Sequence, residues 1–137
     1  MDINVNQVDD QTFELVFDKT TVPILIEDME RLHYQLSSIL RPATVQEKKA
    51  RNLAFLARLK FATDNGIQAL MRTASHDDIL VLLHACERDM VLKKKFYGNM
   101  SENSMKMYAE DLVFQFRKGM PDYRFDEAMT RLLKTVE

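Results

Sequence analysis

Residues 101–118, SENSMKMYAEDLVFQFRK, decide how this chain is read. Ser101 is a hydroxyl placed to cap a helix, because its oxygen can accept one of the backbone N–H groups that the first turn leaves open. At 100° per residue, Met105, Tyr108, Ala109, Leu112 and Phe116 fall on one face and are expected in a core. The far side does not follow the usual polar pattern. Met107 and Phe114, seven apart, lie roughly opposite that core stripe; Asp111 and Lys118 flank them, and Lys106, Glu110 and Arg117 form a charged row on the other shoulder. Two aligned large apolar side chains ringed by charge suit a contact with another protein. Burial by another helix of the same chain accounts for them equally well.

Outward from this helix the pattern stays helical. Upstream, Gly98-Asn99 ends a helix over about Asp89–Tyr97, and Ser75-His76-Asp77-Asp78 opens another that carries the apolar run Ile79–Leu83. Thr63-Asp64-Asn65-Gly66 is a turn and cap before a short helix, Ile67–Arg72. Thr44 to about Ala62 reads as a longer helix with Leu53, Phe55, Leu56 and Leu59 inward. Before it, Pro23–Leu40 starts with a proline suited to a first turn and repeats Leu25, Met29, Leu32, Leu36 and Ile39 as a seam, until Arg41-Pro42 stops it. Downstream, Lys118-Gly119-Met120-Pro121 breaks the chain, and Asp126 is expected to cap a last helix with Met129, Leu132, Leu133 and Val136 inward. Phe13–Phe17 fits a short strand or, after Asp9 and Asp10 as caps, one or two helical turns; helix is the expectation. The fold class that follows is all-α, with short helices stacked in pairs as in bundles or armadillo-like solenoids, preceded by one or two longer helices. The expected division is a short N-terminal segment, 1–21, two helices over 22–61, and a helical domain over 62–137.

Composition narrows the function. With 3 glycines and 3 prolines in 137 residues, long elements are favoured over many short strands. Lys and Arg number 19 against 21 Asp and Glu, which leaves no global field for nucleic acid. The basic clusters, Lys48 to Lys60 and Lys93-Lys94-Lys95, lack interleaved aromatics and read as solvated faces. A single cysteine, Cys86, forms no internal disulfide and suits a reducing compartment. No apolar run approaches a membrane span, and MDINVNQVDDQ has no secretory pattern, so a cytoplasmic location without membrane insertion is expected.

No catalytic constellation emerges. His33, His76 and His84 stand alone, with neither HExxH nor CxxC spacing, so no metal is expected. His84 and Cys86 lie two apart, which on a helix sends them to different faces. The scattered Gly66, Gly98 and Gly119 cannot form a phosphate loop, and no cofactor is implied. The acid pairs Asp9/Asp10 and Asp77/Asp78 sit where capping explains them. A protein without enzymatic activity that binds other proteins is the reading, with a homo-oligomer as one form that binding could take. An alternative is a free-standing adaptor that dimerises or docks a partner through helix 23–40.

IQALMRTASHDDILVLLHA (67–85), KKKFYGNMSENSMKMYAEDL (93–112) and MPDYRFDEA (120–128) together resemble the C-terminal domain of the flagellar motor switch protein FliG. Lys95, Phe96, Asn99, Met100 and Ser101 make the K-F-x-x-N-M-S turn; Glu110, Asp111 and Leu112 make the acidic end, with Pro121 and Arg124 after it. The likeness runs from about Ala62 to the C-terminus. Asn103 stands where the family has an arginine and His84 where a lysine is expected; the E-H-P-Q and M-F-x-F motifs of the family's other regions are absent. The resemblance implies an armadillo-like domain in a ring at the inner face of the cytoplasmic membrane. Its long helix would offer charges to rotor or stator partners. Glu110, Asp111 and Arg124 fall where the family carries functional charges. The expected partner-binding set is Met107, Glu110, Asp111, Phe114, Lys118 and Arg124.

Overall fold

The computed structural model describes residues 1–136, which divide into two compact units, the first Met1–Val45 and the second from Gln46 onward.

The first unit holds an antiparallel sheet in the order β1 (Ile3–Gln7), β2 (Thr12–Phe17), β3 (Thr20–Leu25), followed by α1 (Ile26–Leu40). This corrects the helical expectation for Phe13–Phe17, and it moves Pro23 from a first helical turn into a strand. The cause is period-two patterning. Phe13, Leu15 and Phe17 alternate with Glu14 and Val16, and of their cross-strand partners Ile3, Val5, Val22 and Ile24 are branched and apolar, while Gln7 and Thr20, at the ends of the ladder, are polar. One face of the sheet is therefore greasy, with Leu15 buried at its centre. Asp18 takes a left-handed conformation (φ 52°) that closes the tight turn between Phe17 and Thr20. The hydrogen-bond parity is regular. Asp18 N–H donates to Asp2 C=O and Val8 N–H to Thr12 C=O, while Ile26 N–H donates to Gln11 C=O. Pro23 lies opposite Glu14, at a pair whose backbone groups face away from β2, so its missing N–H is on the outer edge and the ladder is intact. The α1 seam exists, yet no α1 residue is fully buried, and Leu36, Ile39 and Leu40 are exposed.

The second unit contains most of α2 (Pro42–Leu59), then α3 (Asp64–Thr73), α4 (His76–Ala85), α5 (Met90–Tyr97), α6 (Glu102–Gln115) and α7 (Asp122–Val136). Three caps are those the sequence suggests: Thr63 accepts from Gly66 N–H, Ser75 from Asp78 N–H and Ser101 from Ser104 N–H. Asp89, expected as the first residue of its helix, caps it instead, accepting from Val91 and Leu92 N–H. α7 starts earlier than expected, at Asp122, so Asp126 sits inside the helix instead of capping it. Its carboxylate accepts from Asn52 Nδ2 at 2.7 Å, and Asn52 is wholly buried. Desolvation raises the Asp126 pKa, outweighing the Lys48 charge and the Asn52 hydrogen bond that lower it.

α4 is the axle of this unit. Ile79, Leu80, Val81, Leu82 and Leu83 are all buried, so the helix has core on every side. Around it lie Phe55 and Leu59 of α2, Ile67 and Leu70 of α3, Leu92 and Phe96 of α5, and Met129 and Leu132 of α7. The α4 start is tied to α7 by Arg131, whose guanidinium meets both oxygens of the buried Asp78 at 2.8–3.1 Å.

Candidate partner-binding surface

The polar residues of the K-F-x-x-N-M-S turn hold helices together. Lys95 Nζ donates to Ala62 C=O at 2.6 Å; Asn99 Nδ2 donates to Lys95 C=O at 2.6 Å, and Asn99 Oδ1 accepts from Gln68 Nε2 at 3.0 Å. This turn fixes where Ser101 starts α6, and so which way the faces of α6 point.

α6 is seated lightly. None of its residues is fully buried: Met105, Tyr108 and Leu112 are half-buried and Ala109 is exposed, and only its C-cap residue, Phe116, is buried as expected. One flank is pinned. Asp111 Oδ2 lies 2.8 Å from His76 Nε2 at the start of α4, and the His76 ring stacks on Tyr108 with centroids 4.7 Å apart. The opposite flank stands off from α4 and α5 and leaves a groove of about 480 Å³. Leu83, Cys86, Leu112 and Phe116 give it an apolar lining, with Glu87, Lys93 and Arg117 among its charged residues. Burial, and secondarily the Asp89 charge, push the Cys86 thiol up to about 12, which favours the neutral thiol over the thiolate as part of that apolar lining.

Between pin and groove runs the outward face of α6. Met107 is 45% exposed and Phe114 73%, with Glu110 exposed between them on the same side. Val113, 67% exposed, joins this face to the groove; it escaped the sequence reading because it lies between the core stripe and the Met107–Phe114 line. Arg117 stands over the Phe114 ring at 5.8 Å. Lys118 lies past the helix end, in the turn before Gly119 (φ 86°), and is exposed. Arg124, in the first turn of α7, donates to Gln115 Oε1 at 2.8 Å and covers the Phe116 ring at 5.0 Å. The structure thus brings Met107, Glu110 and Phe114 together on open surface. It engages Asp111 and Arg124 in fastening α6 to α4 and α7.

A family model of the FliG C-terminal domain matches residues 38–137, most of the chain. The chain belongs to the FliG C-terminal domain family. No curated protein and no solved structure gave a match. The FliG family accounts for the stack of short helices in the second unit, an armadillo-like arrangement. The match begins inside α1 and takes in all of α2, upstream of the point where the motifs of the sequence become recognisable. The FliG C-terminal domain is a structural motor-switch domain and no enzyme family. Among the described residues, no helix is long and apolar enough to cross a membrane, and no group of His, Cys, Asp and Glu is arranged to hold a metal ion.

Proposed function

We propose that this protein is a flagellar motor switch-type interaction component that binds another motor protein through the outward face of α6. The observation that carries this reading is the company Glu110 keeps. It is an exposed carboxylate between two exposed large apolar side chains, Met107 and Phe114, on a helix one flank of which is held to α4 and α7. Apolar anchors supply burial, and the charges around them, Glu110, Arg117 and Lys118, set register and approach. Asp111 and Arg124 act as positioning residues, fixing the helix that presents the others. A location at the inner face of the cytoplasmic membrane follows from the motor role.

Reversing Glu110 alone tests this, because Asp111→Lys would also break the His76 contact. In the native organism, Glu110→Lys should impair swimming while the purified variant keeps its far-ultraviolet circular dichroism and melting temperature. Unimpaired swimming in both Glu110→Lys and Phe114→Asp strains would remove this face from the function.

A second reading has support from the first unit. α1 has no fully buried residue, and Ile39 and Leu40 are 77% and 73% exposed. A helical adaptor docking a partner through 23–40 would use them. Truncation to a chain starting near Thr44 would abolish partner binding in that case and leave it intact if α6 is the contact.

A further inference from the structure

The geometry points to self-association of this chain through the free edge of β1: two copies pair β1 antiparallel about Val5, merging two three-stranded sheets into one. β1 lies at one edge of the sheet, every one of its five residues is exposed, and the segment INVNQ carries no charge and no proline. Natural edge strands are usually blunted by charge, proline or a bulge, because their unpaired N–H and C=O groups invite another strand. The other edge of this sheet is blunted in that way, by Pro23 on β3.

The parity says which groups are open. Asp2 C=O and Val8 N–H point towards β2, so Asn4 and Asn6 do as well, and the N–H and C=O of Ile3, Val5 and Gln7 point outward. A second copy run antiparallel about Val5 sets Ile3 opposite Gln7, Val5 opposite Val5, and Gln7 opposite Ile3. Each facing pair then exchanges both hydrogen bonds, and no outward group is left over. In that register Asp2 meets Val8 and Asp9 meets Met1, so no acidic residue of the segment faces another. The side chains agree with the backbone. Ile3 and Val5 share the face of the buried Leu15 yet are 57% and 54% exposed, and among the described residues no strand pairs with the outer side of β1. Pairing places Val5 beside Val5 and Ile3 diagonally beside Val5 of the other copy, extending the greasy face across the junction. A stable interface needs about 800 Å² per partner, more than a five-residue edge supplies alone, so the pairing should be of roughly micromolar strength.

The test uses the full chain. Light scattering should show the mass rising from one chain to two between about 1 μM and 1 mM. Val5→Lys, which sets like charges against each other on an exposed site, should keep one-chain mass over that range. A cross-link decides the matter independently of stability. Under mild oxidation Val5→Cys should give disulfide-linked dimers, whereas Asn6→Cys, which faces Asn4 of the other copy, should not. The buried Cys86, with its raised pKa, stays out of this reaction. One-chain mass at every concentration would overturn the proposal. So would a dimer indifferent to Val5→Lys, or cross-linking of Asn6→Cys as readily as Val5→Cys.

Discussion

Asp111 and Glu110 are neighbours in sequence with different work, and replacing each by alanine should separate them by stability. Asp111 Oδ2 is 2.8 Å from His76 Nε2, and both side chains are 40% exposed. Solvent screens a pair this open, so its loss should cost about 0.5–1 kcal/mol, the upper range for surface ion pairs. Glu110 has no comparable attachment, and a surface substitution of that kind falls within about 0.5 kcal/mol of zero. For a chain of this length, 1 kcal/mol moves the melting temperature by roughly 3–5 °C. Asp111→Ala should therefore melt about 2–4 °C lower and Glu110→Ala within about 2 °C of the parent. Thermal melts followed by circular dichroism give both numbers. A double-mutant cycle with His76→Phe, which keeps a ring against Tyr108 and removes the nitrogen that meets Asp111, isolates the contact: coupling of about 0.5–1 kcal/mol with position 111 and near zero with 110 is expected. Equal shifts for the two alanine variants, or no coupling between 76 and 111, would refute the assignment of Asp111 as a fastener.

Three further outcomes follow from the second unit. Asn52→Ala removes a wholly buried amide that accepts from Arg51 and donates to Asp126, and should cost about 2–3 kcal/mol in urea unfolding. Asp89, capping α5 and paired with Lys60 at 2.9 Å, has its pKa lowered, chiefly by the Lys60 hydrogen bond and then by Leu92 N–H. A folded value below the unfolded one means its contribution is complete above the ordinary carboxylate range and fades as pH falls through the lowered value; Lys60→Met should flatten that part of the acid titration of stability. Cys86 should resist iodoacetamide at pH 8 in the native protein and react once urea exposes it, because burial holds its pKa near 12.

The helical unit was legible because its signals are local. Ser75, Ser101 and Thr63 are hydroxyls placed immediately before apolar repeats, and each caps the helix it announces. The sheet was harder for a physical reason. Phe13, Leu15 and Phe17 carry the alternation of a strand, but six residues are few for a period, and Asp9 and Asp10 look like caps; what settles the strand is pairing with Ile3–Gln7 and Thr20–Leu25, which no local window contains. The same limit applies to the surface. The sequence placed Met107, Glu110 and Phe114 on the outer side of α6, where they are. That Asp111 would reach His76, 35 positions away, and that α6 would stand off α5 to open a groove beside Val113, depend on how the helices stack.

Pro23 has a consequence for growth. An imino acid on one rim of the sheet leaves it with a single adhesive side, and a ribbon needs two. If β1 of a second copy adds to β1, both outermost rims of the product belong to β3, each interrupted by Pro23, so such association should end in a closed pair instead of propagating into a filament.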